Sequence, residues 1–417
     1  MYRFALFALF LSIVIAIICC IQWYLFRAYR RWVAGTFPPD RQRVWRRGGF
    51  WFLLAGDLLF FSRLFLSRIG WYDHPLAQAV LVYPGGIFFA SILLVFLILL
   101  VKDILHLPVV VGKRVVALIQ GFDWIRSKMP PTPCSPTFSP DRRRFLQVSG
   151  ITMAAVPFGL STLGALTTSR DYEVVRLPLF FQNLPSGLDG LTIVQVSDIH
   201  SGAYMMEGHI RDIFDIVRSL HPQLILLTGD FVDAADEEIP AVYNALDVLK
   251  ADIGIFGCLG NHDHYATAGK VTEALAQKDV TVLSNAHRTL TIDGERLSII
   301  GVDDAGTGRS NFAHLDQAIE GLDRETFKIM LTHRPRFFSE AKKAGMDFTL
   351  AGHTHGGQVG VEFGGIVINP VYLFHHYAKG LYVEEGKQLY VNAGVGMVGV
   401  PVRWIRPEIT LITLHTG

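Results

Sequence analysis

Residues 191–200 read LTIVQVSDIH, a β-branched apolar run from Leu191 to Ser197 that ends on Asp198-Ile199-His200. The figure recurs: residues 224–230 read LILLTGD and residues 253–263 read IGIFGCLGNHD. Stretches of helical character, near Glu207 to Leu220 and Ala241 to Lys250, separate them. Short strands alternating with helices predict an α/β sandwich. Polar clusters directly after the strands stand where sites form in open α/β sheets. Farther along, Ile329-Met330-Leu331-Thr332 runs into His333, and residues 352–358 read GHTHGGQ.

In an extended segment, residues two apart share a face, so Asp198 and His200 direct a carboxylate and an imidazole to one place. Gly229 gives the backbone room to turn ahead of Asp230. In Gly260-Asn261-His262-Asp263 the adjacent side chains suit separate tasks, an amide oxygen for a metal and an imidazole for a substrate, with Asp263 expected to hold His262 in place. His333 alone reads more readily as a satisfied strand-end histidine than as a ligand. Each fragment is ordinary by itself, but five in series after successive strands are not. Together they supply three Asp/Asn oxygens and four imidazoles with no thiolate, an inventory that suits Mn, Fe or Zn better than Mg or Ca.

Other polar residues have weaker claims. His264 fits a pocket wall or a solvated loop equally, and His375-His376 reads as a surface loop in an aromatic segment. Asp303-Asp304 with Arg309 forms a polar loop able to meet phosphate, and Asn392 is expected to shape the loop beside the site.

The ordered set resembles the calcineurin-like metallophosphoesterase superfamily over roughly Leu191 to Leu414. Gly352-His353-Thr354-His355-Gly356-Gly357-Gln358 and Arg406-Pro407-Glu408-Ile409-Thr410 look closest to its membrane-associated bacterial phosphodiesterase branch. The resemblance implies a four-layer α/β/β/α sandwich and two divalent metal ions. One metal would be held by Asp198, His200 and His355, the other by Asn261, His333 and His353, and Asp230 would bridge them. His262 would give a proton to the leaving group or steady the phosphoryl oxygen. The implied reaction is metal-dependent hydrolysis of a phosphoester, a phosphodiester before a monoester, with a metal-bound hydroxide as nucleophile. An envelope or lipid-linked substrate suits a membrane-anchored esterase.

The 417 residues are half hydrophobic and 18% charged, and the apolar excess lies before about residue 170. A net charge of +1 gives no reason to expect nucleic acid as a partner. Of Cys19, Cys20, Cys134 and Cys258, only the last falls in the globular half, which excludes an internal disulfide there. Residues 1–129 read as a membrane region with crossings at about 4–26, 50–69 and 76–101, each long enough for a bilayer core. Val109 to Ile119 reads as an interfacial helix, residues 130–144 as a Pro-rich linker with an arginine run, 145–168 as a fourth crossing, and 171–417 as the metallophosphoesterase domain. Arginines follow the first crossing and precede the fourth, so the positive-inside rule places the catalytic domain outside a bacterial inner membrane. Arg142-Arg143-Arg144-Phe145-Leu146 fits a twin-arginine export signal or a plain charged anchor. Asp57 and Arg63, inside the second crossing, are read as facing the bundle or snorkelling. Two rival readings are a non-catalytic metal-binding scaffold or sensor, and a transporter with an appended domain. Against the second, intramembrane charges are few and no repeat is visible.

Overall fold

The computed structural model describes residues 2–68, 71, 74–120, 140–323, 325–363 and 366–417. Most of the expected linker, and Tyr72 and Asp73 of the turn ahead of the third crossing, lie outside the described residues. The chain divides into one compact unit of residues 1–62 and 84–162, and a second of residues 63–83 and 163–417.

The first unit is helical: Tyr2–Thr36, most of Pro39–Arg68, Tyr83–Gln120, and the larger part of Pro140–Leu166. Leu25, Phe88, Ile92 and Leu99 form its small core. Asp57 accepts a hydrogen bond from Gln22 Nε2 at 2.6 Å, which satisfies a charge that would otherwise be stranded among apolar side chains. Among the described residues, three stretches are long and apolar enough to cross a membrane: Ser12–Thr36, Pro75–Val116 and Gln147–Arg170. The helix Pro39–Arg68, which contains the expected second crossing, is not among them and carries Asp57 and Arg63 within its apolar run. The interfacial helix expected at Val109 to Ile119 is not separate: one helix runs from Tyr83 to Gln120 through Pro108. Lys113-Arg114 interrupts the hydropathy there, not the backbone.

The second unit is the sandwich. Its strands are β1 Glu173–Phe181, β2 Thr192–Val196, β3 Leu224–Thr228, β4 Gly254–Cys258, β5 Val280–Val282, β6 Ala286–Ile292 and β7 Glu295–Gly301. They continue with β8 Phe327–Leu331, β9 Phe348–Ala351, β10 Val361–Phe363, β11 Ile366–Ile368, β12 Gly380–Glu384, β13 Lys387–Val391 and β14 Glu408–Thr416. One sheet has the order β1-β14-β2-β3-β4-β5, the other β12-β13-β9-β8-β7-β6, and β10-β11 is a small hairpin. β2, β3 and β4 run parallel, as do β7, β8 and β9.

Alternation along each strand divides its side chains between two cores. Ile193, Leu224, Leu226 and Phe256 meet Leu297, Ile299, Ile329, Leu331, Phe348 and Leu350 between the sheets. Val194, Val196, Ile225 and Leu227 face the other way, toward Ile210, Ile213, Phe214 and Val217 of the helix Glu207–Ser219. Those four helical positions are spaced by three, four and seven, a single apolar stripe. Ile300 and Met330 pack outward on Ala341 of the helix Phe338–Lys343. The result is the four-layer α/β/β/α arrangement, and apolar burial on both faces of β2, β3 and β4 explains their continuous hydrophobic runs.

Beyond the residues from 171 onward, the second unit also takes in residues 63–83 and 163–170. Leu66, Ala77 and Val82 join the core under the helix Glu207–Ser219. Gln78 Nε2 donates to the Ala203 carbonyl at 2.7 Å, and Arg63 Nη1 donates to the Gly399 carbonyl at 2.8 Å while lying over the Tyr204 ring. Apolar side chains in residues 63–83 are thus spent on the sandwich, a use that hydropathy alone cannot separate from membrane burial.

Candidate metal centre

Each sequence cluster emerges at the C-terminal end of its strand: Asp198 and His200 after β2, Asp230 after β3, Asn261 and His262 after β4, His333 after β8, and His353 and His355 after β9. Asp198, His200, Asp230, His353 and His355 all have positive φ, at 54°, 50°, 56°, 72° and 52°. Such conformations cost non-glycine residues on the order of 1–3 kcal/mol each and collect at functional sites. The neighbouring glycines are required for a different reason. A Cβ on Gly260 would stand 2.2 Å from Asp230 Oδ1, and one on Gly352 would stand 1.9 Å from Ser197 Oγ.

Two groups converge. In the first, His355 Nε2 lies 3.0 Å from His200 Nε2 and 3.4 Å from Asp198 Oδ1. In the second, His333 Nε2 lies 3.0 Å from Asp230 Oδ2 and 3.1 Å from His353 Nδ1. Asp230 Oδ2 is also 3.5 Å from His200 Nε2, so this one carboxylate stands between the groups. Asp198, His200, His333 and His355 are buried, as are Asp230 and Asn261.

These donors fit divalent cations. Four imidazoles and two carboxylates that converge with their nitrogen and oxygen lone pairs on one another make a donor set suited to divalent metal. Asn261 Oδ1 is buried with no hydrogen-bond partner, as an amide oxygen reserved for a cation would be. Protonation supports the same reading. Burial, with His333 and Arg334 near one ring and His200 and Arg403 near the other, holds His353 and His355 well below the usual histidine range, in the neutral form that binds metal. Burial works against a charged His333, but Asp230 outweighs it and pushes the pKa up to about 10. Burial likewise opposes the Asp230 carboxylate, and His333 and His200 outweigh it and hold its pKa well below the ordinary value.

The sign of the pH dependence follows. At neutral pH a cation entering beside Asp230 must displace the His333 proton, so affinity should climb as pH rises toward about 10, with proton release on binding. Calorimetric Mn²⁺ titrations in buffers of different ionisation heat measure both. An affinity flat between about pH 6 and pH 9 would contradict it.

Around His262 the structure departs from expectation. Asp263 does not hold His262. Its carboxylate accepts backbone N–H groups of Gly260 at 2.9 Å, Asp230 at 3.0 Å, Phe231 at 2.8 Å and Val232 at 3.3 Å. The reason is helical geometry: residues 261–265 form one short helix, and adjacent positions on a helix do not face each other. Burial and the nearby Asp230 charge push the Asp263 carboxyl up to about 7. Asp263→Ala strands four backbone donors at about 1–3 kcal/mol each when buried. A fall of several degrees in the thermal midpoint is expected, and an unchanged midpoint would refute this role.

Asp233, which sequence reasoning missed, takes the place assigned to Asp263. Its carbonyl oxygen lies against His262 Nδ1, and its Oδ1 stands 3.5 Å from His200 Nδ1. A carbonyl only accepts, so Nδ1 carries the His262 proton and Nε2 is the exchangeable nitrogen. Burial lowers the His262 pKa, with Asp230 opposing. His200, Asp233 and His262 form a third convergent group that overlaps the first through His200.

Arg334 was also missed. It forms a two-pronged ion pair with Asp304, Nε–Oδ1 2.6 Å and Nη2–Oδ2 3.1 Å, and its Nη1 reaches within 3.2 Å of His353 Nε2. Asp303 is occupied by His264 at 2.7 Å and Ser284 at 2.6 Å. The expected polar loop therefore braces side chains, and Arg309 sits exposed on the turn Gly308–Ser310. The His375 ring meets the His353 ring edge-on at 5.7 Å, whereas His376 is exposed. Asn392 shapes its loop as expected, donating to Thr410 Oγ1 at 2.8 Å and accepting from Gly394 N at 2.7 Å. Arg403, fully buried, donates to the carbonyls of Gly396 and Ala393 beside the first group.

A two-sheet sandwich with His/Asp groups at its strand ends, following a helical membrane region, defines the metal-dependent phosphoesterase class. Residues 191–357 match the family described as Calcineurin-like phosphoesterase, and residues 5–168 match the one described as Probable Calcineurin-like phosphoesterase, transmembrane domain. The chain belongs to the calcineurin-like metallophosphoesterase family. It is 32% identical over 275 residues to the Bacillus subtilis protein named Uncharacterized metallophosphoesterase YkuE, covering 62% of this chain and 95% of that one. It is 28% identical over 268 residues to the Danio rerio Transmembrane protein with metallophosphoesterase domain, covering 61% of this chain and 60% of that one. Among solved structures it is similar to a 5'-nucleotidase precursor from Thermus thermophilus, at 18% identity and TM-score 0.33 over 49% of each chain. A dimetal phosphatase from Danio rerio is 14% identical at TM-score 0.32, with 50% of this chain and 88% of that one covered.

Proposed function

We propose that the protein is a membrane-anchored, two-metal phosphoesterase that hydrolyses a phosphodiester or pyrophosphate bond of a lipid-linked or envelope substrate. The observation that carries this reading is Asp230, a single carboxylate between two His/Asp groups. Asp198, His200 and His355 would hold one cation, Asn261, His333 and His353 the other, with Asp230 shared. When bound, the cations supply an acidified water and clamp the phosphoryl oxygens.

The chain's own residues do the rest. Arg334, fixed by Asp304 beside His353, attracts the phosphoryl group as a preset guanidinium. His262, with Nδ1 committed to the Asp233 carbonyl, exchanges its Nε2 proton with the leaving oxygen. Asp233 orients that ring, and Asp263 keeps the backbone around Asp230 from shifting.

The arginines after the first apolar helix and at Arg142–Arg144 put the sandwich on the outer side of the inner membrane, through multiple passes. The arginine run also suits export of the folded, metal-loaded domain by the twin-arginine route.

The test is turnover of bis(p-nitrophenyl) phosphate and p-nitrophenyl phosphate by the full chain in detergent, loaded with Mn²⁺, Fe²⁺ or Zn²⁺. Metal-dependent turnover that favours the diester is expected. Two bound equivalents of metal with no turnover of either ester would leave the metal-binding scaffold as the better reading.

A further inference from the structure

We propose that Tyr372-Leu373-Phe374 is a wedge that enters the interfacial layer of the lipid bilayer holding the chain's own apolar helices. The proposal rests on the phosphoesterase reading only for its consequence, that head groups at that surface are delivered to the cleft. Leu373 and Phe374 are 81% and 82% exposed, and Tyr372 is 49% exposed. Leu373 and Phe374 leave most of their apolar surface in solvent, and contiguous exposed apolar surface marks an interaction site.

The wedge is built, not loose. Pro370 opens the turn Pro370–Leu373, and Asn369 caps it by accepting the Val371 N–H at 3.1 Å. Asn369 Nδ2 donates to the Gly356 carbonyl in the loop that carries His353 and His355. His375, one residue past Phe374, meets His353 edge-on.

Two observations select lipid as the occupant. The first is continuity with the ends of the apolar helices. The Gln358 carbonyl accepts from Trp404 N at 2.8 Å, and a Cβ on Gly164, in the last turn of the helix Pro140–Leu166, would stand 2.7 Å from Trp404 Nε1. Arg63, at the start of the other segment that joins this unit, holds Gly399 of the same stretch. The wedge, the histidine loop and the helix ends are therefore linked through residues 398–405. The second is charge. No acidic residue lies between Glu362 and Glu384, so the segment that carries the wedge brings no carboxylate to repel an anionic head group. Aromatic side chains with no carboxylate among them suit the interface of an anionic bilayer.

The experiment uses the full chain in vesicles of phosphatidylethanolamine and phosphatidylglycerol. Cys19, Cys20 and Cys134 are changed to Ser, buried Cys258 is kept, and a nitroxide is placed at Phe374→Cys or, for comparison, at Glu385→Cys on the exposed turn after β12. Collisions with oxygen and with a water-soluble nickel chelate then report depth. The expected result is gain of oxygen collisions and loss of nickel collisions at 374 relative to 385, reversed by Leu373→Asp. Equal nickel collisions at both positions overturn the proposal. So does loss of both kinds of collision at 374, which would mean a protein surface covers it. The readout needs no turnover, so it stands or falls apart from the phosphoesterase assignment.

Discussion

Asp230→Ala is expected to remove turnover almost entirely and to lower the metal content of the purified protein. The carboxylate has three tasks at once. Its Oδ2 lies within 3.5 Å of His200 Nε2 and 3.0 Å of His333 Nε2, and its Oδ1 accepts the His262 backbone N–H at 2.8 Å. No neighbour can replace it, because Asp198 is engaged by the His353 backbone N–H beside His355 and Asp263 is committed to backbone donors. Cation stabilisation of phosphoryl charge contributes several kcal/mol, and about 4 kcal/mol corresponds to roughly a thousandfold in rate. Asp230→Asn keeps the shape and removes the charge, so it separates the two contributions. If charge between the cations matters most, the amide behaves like the alanine. Bound metal measured by mass spectrometry, beside turnover of bis(p-nitrophenyl) phosphate, decides it. Activity within tenfold of wild type in Asp230→Ala would remove the shared carboxylate from the reaction, and with it the two-metal reading.

How much of this was legible in the sequence depends on whether a role is local. β2, β3 and β4 read correctly because their apolar runs are bounded by polar clusters, and those clusters are the strand ends where the groups meet. Asp198, His200, Asp230, Asn261, His333, His353 and His355 were legible as an ordered series whose roles the family resemblance implied, although His333 alone read as a strand-end histidine; the strands deliver them to the same edge. Asp233 could not. Its position beside His200 and His262 arises because residues 230–233 run alongside His200 and Ser201, with Ser201 paired to Val232. The mistake at Asp263 has the opposite origin: adjacency in sequence suggested contact with His262, and one helical turn put the two side chains on different faces. Arg334 was overlooked because an arginine after a histidine carries no pattern, and only Asp304, 30 residues away, fixes its guanidinium. That residues 63–83 pack with the second unit was not legible, because Leu66, Ala77 and Val82 look the same in a hydropathy profile whether they meet lipid or the helix Glu207–Ser219.

His262→Ala is expected to keep its metals and still lose about 10²- to 10⁴-fold in turnover, the usual worth of a positioned proton donor. The expectation rests on the seven proposed ligands, which do not include His262: its ring is committed to the Asp233 carbonyl and packs on His200 and Tyr265, and its backbone N–H donates to Asp230 Oδ1. The size of the loss should also depend on the leaving group. A p-nitrophenolate leaves without a proton, whereas an alkoxide from an alkyl ester needs one as its bond breaks. His262→Ala should therefore be damaged far more on a dialkyl phosphodiester, followed by the alcohol released, than on bis(p-nitrophenyl) phosphate. Burial lowers the pKa of His262, so at neutral pH the ring is mostly neutral and the donor form is the minority. The wild-type rate on an alkyl ester should then fall as pH rises through that lowered value, and the variant should lose this limb of its pH profile. Equal losses on good and poor leaving groups, with the alkaline limb intact, would show that His262 shapes the site electrostatically and moves no proton.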